Sequence, residues 1–497
     1  MSVLRLHGVG VAWAASAPIF DSASLTLDGG FYGLVGANGA GKTTLLSVLA
    51  GEREPSDGTV TLAPRNALVA YCRQVVDRRD DDVDALAARD DGLAAELRGR
   101  LALDPIELER WETLSPGERK RWQVAAALAR EPDVLLLDEP TNHLDVDARK
   151  RLLDALRRFS GLGVIVSHDR AVLDALTTGT LRIHQRKVTL WPGRFSDAKL
   201  LWEQARSEQQ AALDAARDRV RAAKDQLDAA RRTQAAASKS ISTGRRMKDK
   251  NDSDARGIHA STKASWAASK AGRVTASART QLERAQKEVP VLERDATLGG
   301  RIFATYQRAH SPVLFHVSNA AIRRGEHVVL RDVRVTIGRE DRVRLEGPNG
   351  AGKTTLLEAL VASHAHPERV LYLQQELEED AKAAALDRLR GVDSEQRGRV
   401  LSIFAALGSE PDRVLRAEAK HLSPGEARKL VLAEALSKQV WALVLDEPTN
   451  HMDLPSVERL EAALAEYPGA IVLVTHDDTF AANVTTRSLH LEHGTVT

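Results

Sequence analysis

The stretch Gly36-Ala37-Asn38-Gly39-Ala40-Gly41-Lys42-Thr43-Thr44 returns as Gly347-Pro348-Asn349-Gly350-Ala351-Gly352-Lys353-Thr354-Thr355. A glycine-rich motif repeated almost letter for letter means that one domain is present twice in the chain. Later landmarks keep the same order. Leu114-Ser115-Pro116-Gly117-Glu118 matches Leu422-Ser423-Pro424-Gly425-Glu426, and Leu137-Asp138-Glu139-Pro140-Thr141-Asn142-His143 matches Leu445-Asp446-Glu447-Pro448-Thr449-Asn450-His451. Both copies hold short apolar runs: Val134–Leu137 and Val164–Val166 in the first, Ala442–Leu445 and Ile471–Val474 in the second. Such runs read as buried parallel strands, and the helical stretches between them place each copy in the α/β class. The boundaries expected from the repeat are 1–196 and 312–497, with 197–311 between them.

Composition narrows the setting. Lys and Arg number 70 against 69 Asp and Glu, so overall charge does not point to an acidic partner. The only cysteine, Cys72, excludes an intrachain disulfide and a cysteine-ligated zinc, and suits a reducing compartment, so a cytoplasmic protein is expected. No run approaches the ~20 apolar residues of a membrane helix, and Met1–Gly10 lacks the pattern of a signal peptide.

Between the copies the composition shifts to Ala, Arg, Gln, Lys and Ser. Ala212, Ala216, Val220, Ala223, Leu227 and Ala230 recur at helical spacing, and so do Val274, Ala278, Leu282, Ala285, Val289 and Leu292. Two narrow stripes of this kind bury themselves most simply by pairing, which predicts a long antiparallel helical hairpin. Its first helix is expected over 197–241, with the tip at Ser242, Thr243, Gly244 and on through Arg256.

The repeated glycine motif follows the apolar strand Tyr32–Val35 and ends where a helix opens, the context a phosphate-binding loop requires. The backbone of Gly36, Asn38, Gly39 and Gly41 is expected to cradle phosphates, with Lys42 on the β- and γ-phosphates and Thr43, followed by Thr44, at the magnesium ion that accompanies ATP. Gly347, Asn349, Gly350, Gly352, Lys353, Thr354 and Thr355 take these places in the second copy. The strand ending at Leu137 delivers Asp138 to the sheet edge as a further magnesium ligand, through water, and Glu139 as the base that accepts a proton from attacking water. Asp446 and Glu447 repeat the pair. An Asp-Glu dipeptide is commonly plain surface charge, so the assignment rests on the preceding strand. His168 and His476 each follow an apolar strand and a small polar residue, and are expected at the γ-phosphate. Gln74 and Gln375 are weaker candidates, as sensors of the metal and the attacking water.

These motifs resemble the ATP-binding-cassette superfamily over both copies. The Asp-Glu-Pro-Thr-Asn-His-Leu-Asp form at 138–145, repeated at 446–453 with Met452, is similar to its ABC-F branch, in which a helical linker joins two cassettes. The resemblance implies ATP sandwiched between each P-loop and the other cassette's signature motif within one chain, so that a monomer is functional. Ser423 and Gly425 would complete the Lys42 site, and Ser115 and Gly117 the Lys353 site. Trp13 lies where the superfamily places an adenine-stacking aromatic, whereas the matching region near Arg323 and Arg324 has none. Pro116 and Pro424 replace the usual second signature glycine, a substitution suited to the first turn of a helix.

ATP motifs do not name a target. From Arg231 to Arg279 there are twelve Lys or Arg against three Asp and no Glu, a candidate nucleic-acid surface or a plain solvated face. ABC-F proteins bind ribosomes and direct this linker toward the peptidyl-transferase region and tRNA. By that resemblance Arg245, Arg246, Lys248, Lys250 and Arg256 would contact ribosomal RNA, and the stretch Lys250–Arg256 looks like linkers of antibiotic-resistance members. The 39 residues between Gln74 and Leu114 are too few for the arm that housekeeping translation members insert, and the chain carries no tail after Thr497, so ribosome protection is the favoured reading. Drug-independent rescue of stalled ribosomes, a DNA-associated ATPase and a transporter-coupled ATPase stay as alternatives. Trp266 has two readings, stacking on a base or packing between the hairpin helices, and packing is favoured.

Overall fold

The structure is a computed structural model that describes residues 2–12, 18–142, 144–243, 254–289, 306–325, 327–348, 350–416, 422–438 and 440–497, without the side chains of 239–243 and 254–264. The chain forms two compact units: Met1–Ala198 together with Ala296–Thr497, and Lys199–Asp295.

In the larger unit each repeat is built on a six-stranded sheet. The first repeat contributes β1 (Val3–Ala12), β2 (Pro18–Leu27), β3 (Gly30–Gly36), β4 (Asp57–Ala63), β5 (Val69–Cys72), β6 (Val134–Asp138), β7 (Leu162–Val166), β8 (Thr177–His184) and β9 (Lys187–Pro192). The second contributes β10 (Val313–Arg324), β11 (His327–Gly338), β12 (Arg342–Glu346), β13 (Val370–Leu373), β14 (Ala442–Asp446), β15 (Ala470–Val474), β16 (Arg487–Glu492) and β17 (Thr495–Val496). The orders β5-β6-β7-β3-β8-β9 and β13-β14-β15-β12-β16-β17 are equivalent, parallel except for the last, antiparallel strand of each. All five residues of β6, β7, β14 and β15 are buried, as expected of apolar strands covered on both faces. The sequence reading of an α/β fold in two copies is thereby met.

The repeats differ at the antiparallel layer. The first has three strands, β2-β1-β4, and the second has two, β10-β11. The segment from the P-loop helix to the next sheet strand is long enough for β4 in the first repeat, but in the second only 364–369 separate the Lys353–Ser363 helix from β13. This layer packs over the P-loop helix in each repeat, with Leu4, Phe20, Leu45 and Leu46 in one core and Phe315, Leu330, Leu356 and Leu357 in the other.

The smaller unit contains most of the helix Phe195–Thr243 and the helix Asp254–Lys287. Arg219 Nη1 donates to Glu288 Oε2 at 3.3 Å, and Gly272 lies beside Gln234. One residue number falls as its partner's rises, so the pairing is antiparallel as the stripes predict. The inward stripe of the first helix begins at Leu213, not Ala212, which is exposed; Leu213, Ala216 and Leu227 are buried, and Val220, Ala223 and Ala230 between and beyond them are half-buried. On the second helix Val274 is exposed, and Ala271 and Thr275 turn inward above Ala278. Equal spacing permits neighbouring stripes on one helix, and the partner surface selects between them. Trp266 is 66% exposed, which overturns the reading that it packs between the helices. Arg245, Arg246, Lys248 and Lys250 lie outside the described residues, as does the side chain of Arg256.

Candidate active sites

Each P-loop is set by the backbone. Gly41 and Gly352 precede the helices Lys42–Leu49 and Lys353–Ser363 with φ of 99° and 96°, a left-handed conformation costly for any other residue. A Cβ on Gly41 would also run into Ile19, and one on Gly352 into Val329. Lys42 Nζ donates to the carbonyls of Gly36 and Ala37 at 2.9 and 3.2 Å, and Lys353 Nζ to those of Gly347 and Pro348 at 2.7 and 3.1 Å. Burial pushes the pKa of both ammonium groups down. A cation held by neutral carbonyls at a helix N-terminus is a receptor for an anion.

Strands β6 and β14 end at buried Asp138 and Asp446. Thr43 Oγ1 donates to Asp138 Oδ2 at 2.8 Å, and Thr354 Oγ1 to Asp446 Oδ2 at 2.8 Å. The next residues, Glu139 and Glu447, both have φ of 48° and are tied to β7 and β15 through their amides, which donate to Val166 O and Val474 O at 3.0 and 2.9 Å. A glutamate in this conformation is strained, and the strain turns its carboxylate toward the sheet edge. Burial raises both carboxyls to about 7. The His168 amide donates to Glu139 Oε2 at 3.3 Å, and the His476 amide to Glu447 Oε2 at 3.4 Å. Ring Nε2 of His168 is 3.0 Å from Glu139 Oε1, and that of His476 is 3.5 Å from Glu447 Oε1. Neither approach has hydrogen-bond geometry, so both Oε1 atoms are buried without a partner among the described residues. Burial first, then the neighbouring lysine, holds His168 at about 3 and His476 at about 4, so both rings are neutral at pH 7.

The repeats meet here. Asn38 N donates to Asp453 Oδ2 at 2.7 Å and Asn38 Nδ2 to His451 O at 3.2 Å, joining the first P-loop to the second repeat. A Cβ on Gly425 would clash with His451 O, so the signature glycine lets the His451 loop of its own repeat pack against it beside Asn38. One cavity of about 1100 Å³ is lined by both P-loops, Gln74, Gln375, Asp138, Asp446, Glu139, Glu447, His168, His476, Ser423 and Gly425. Ser423 and Gly425 line this cavity together with Lys42 and Lys353. Ser115 and Gly117 are not among its lining residues. The counterpart contact would involve Asn349 and His143, which, like Trp13, lie outside the described residues.

An ABC transporter family model matches residues 20–142 and 330–450, the segments that hold both P-loops, both signature motifs and both Asp-Glu pairs. The ATP-binding protein Uup of Caulobacter vibrioides is 32% identical over 99% of this chain and 77% of its own length. The tylosin resistance ATP-binding protein TlrC of Streptomyces fradiae is 32% identical over 100% and 98%. The chain belongs to the ATP-binding-cassette family. The ribosome protection protein VmlR of Bacillus subtilis is 28% identical over 93% of this chain and 81% of its own. The solved RNase-L inhibitor has the same fold at a TM-score of 0.58 and 19% identity, over 99% of this chain and 89% of that one.

As a cassette protein the chain is an ATPase that uses ATP with Mg²⁺. The site fits both. The paired lysines await an anion, and Thr43–Asp138 and Thr354–Asp446 are pairs of hard oxygen donors. Among the cavity residues without a role in the sequence analysis are Asp453, the last letter of a quoted motif, and Arg149. Asp453 had the repeat as a signal. Arg149 had none, because its place in the second repeat is taken by Val457.

Proposed function

We propose that this chain is an ABC-F-type ribosome protection factor. Two ATP molecules hold its cassettes closed, the closed form binds the ribosome with the 199–295 helices directed toward the peptidyl-transferase region, and hydrolysis releases it. The observation that supports this reading is the junction of Asn38 with His451 and Asp453, beside a cavity that Ser423 and Gly425 line together with Lys42. Nucleotide bound there is enclosed by both cassettes, so its cleavage loosens their union. The names of TlrC and VmlR support the target. The exposed ring of Trp266, with Lys270 and Arg273 on the same helix face, offers stacking and charge to single-stranded RNA.

In the chemistry we propose, Lys42 and Lys353 bind the β- and γ-phosphates. Thr43 with Asp138 and Thr354 with Asp446 hold Mg²⁺, directly or through water, and the ion, when bound, neutralises phosphate charge. Glu139 and Glu447 accept the proton as water forms its bond to the γ-phosphorus and the bond to the bridging oxygen breaks, leaving ADP and phosphate. Neutral His168 and His476 each offer one ring N–H to the γ-phosphate.

The test is sedimentation of Glu139→Gln, Glu447→Gln protein with purified ribosomes in ATP or ADP, repeated with 231–279 replaced by a short loop. Co-sedimentation that needs ATP and weakens on loop replacement is expected, and addition of a ribosome-targeting drug then separates protection from drug-independent rescue. Absence of co-sedimentation in either nucleotide would sink the proposal.

A further inference from the structure

The two halves of the chain differ at a side chain that crosses from one cassette to the other. Arg149 sits in the first turn of the helix Val146–Leu156, whose N-cap is Asp145. Its Nη1 lies 2.8 Å from Asp169 Oδ2 and donates to the carbonyl of His476, in the second cassette, at 3.3 Å. Its Nε is buried without a hydrogen-bond partner among the described residues, and the side chain lines the shared cavity. The guanidinium, engaged by Asp169 and by the His476 carbonyl, thus borders the chamber that also holds Lys353, Glu447 and His476.

Neighbouring contacts hold it there. Arg170, next to Asp169, donates to Glu461 Oε2 at 2.7 Å, and Asn483 Nδ2 donates to Glu461 Oε1 at 2.7 Å. The exposures of Arg170 and Glu461 are 8% and 16%, so the pair is largely shielded from water. It pins the segment bearing Asp169 against the second cassette beside His476.

The repeat provides an internal control. Four residues beyond the helix-capping Asp453 stands Val457, where Arg149 stands four beyond Asp145. Val457 is 2% exposed, and its side chain has no donor. At the places of Arg170 and Glu461 the other halves carry Asp478 and Leu153, which cannot form an ion pair. At this position the second cassette therefore offers the first cassette's site no cation.

We propose that Arg149 is a positioning residue supplied by the first cassette to the ATP site of the second, where it fixes the His476 segment against Glu447, and that the Lys42 site works without such help. This rests on the reading of Glu139, Glu447 and His476 given above. By this reading the arginine arrives at the second site only when the cassettes are together, which makes cleavage at that site conditional on closure.

The experiment is single-turnover ATP cleavage by the full chain in two backgrounds, Glu139→Gln, which leaves the second site intact, and Glu447→Gln, which leaves the first. Arg149→Met should slow cleavage roughly tenfold in the Glu139→Gln background, about the effect of one charge-assisted hydrogen bond, and less than about twofold in the other. Arg149→Lys should recover most of the loss, and ATP affinity should stay within about twofold throughout. Arg149→Gln, smaller and still polar, is the second neutral variant, with the same selective loss expected. Equal slowing in both backgrounds, slowing in neither, or no recovery with lysine would overturn the proposal. Wild-type turnover in the parent Glu139→Gln and Glu447→Gln proteins would instead refute the assignment of the two glutamates.

Discussion

Glu139 and Glu447 are held in a conformation glutamate avoids, in surroundings that raise their carboxyls to about 7. A base must be ionised to accept a proton, and kcat/KM reports the free enzyme. The rate constant kcat/KM for ATP should therefore rise with pH, about tenfold per unit below 7, and level off near pH 8. His168 and His476, held at about 3 and 4, add no inflection in that window. A profile flat from pH 6 to 8 would remove the glutamates as bases. Replacing both by Gln should lower kcat by at least about 100-fold while leaving ATP bound, as a binding assay beside a phosphate-release assay can show. Most of this was legible in the chain, since a strand running into Asp-Glu twice defines the pair. What was not legible is the φ of 48°, which depends on the amide of each glutamate meeting a carbonyl of the neighbouring strand.

The signature helices show how a departure from a motif is absorbed locally. Pro116 and Pro424 occupy the first turn of Pro116–Ala129 and Pro424–Ser437, where a missing N–H costs nothing. Ser115 with Glu118 and Ser423 with Glu426 close complete capping boxes ahead of them. Ser115→Ala and Ser423→Ala should each cost about 1 kcal/mol in urea unfolding. Ser423→Ala should also weaken ATP binding, because Ser423 lines the cavity. Unchanged ATP affinity in this variant would contradict that role. The hairpin makes the complementary point. Helical spacing identified both helices, but Leu213 replaced Ala212 in the stripe and Val274 turned outward, since only the opposing surface determines which of two adjacent stripes is covered. Leu227→Ala, in the middle of the buried stripe, should cost about 2 kcal/mol or more and accelerate amide exchange in both hairpin helices. Faster exchange in one helix alone would argue against their pairing.

The two cassettes behave as one compact unit because polar contacts join them at several points. Arg170–Glu461 is the most shielded of those described here, and removing one partner leaves the other charge buried. Arg170→Met should destabilise the unit by roughly 3 kcal/mol, whereas Arg170→Met with Glu461→Met should recover much of the loss. A denaturation series that shows no such coupling would mean the pair is incidental. Asp453 acts in the same junction. Burial drives its carboxyl up, but Lys429, Ser456 and the Asn38 amide outweigh that and hold it below the usual carboxylate range. A depressed pKa stabilises the folded protein above the unfolded-state value, and the contribution disappears as pH falls through the folded-state value, so acid should loosen this contact. The sequence by itself determined the duplicated α/β fold, the two P-loops, the acidic pairs and the helical hairpin. These are encoded in contiguous residues by apolar periodicity and by glycines that alone tolerate the required backbone. Only the tertiary structure decided that Asn38 meets Asp453, that Arg149 reaches His476 while Val457 reaches nothing comparable, and that Trp266 is exposed. Those outcomes depend on which surfaces pack together, and such packing brings together residues hundreds of positions apart with no local pattern to announce it.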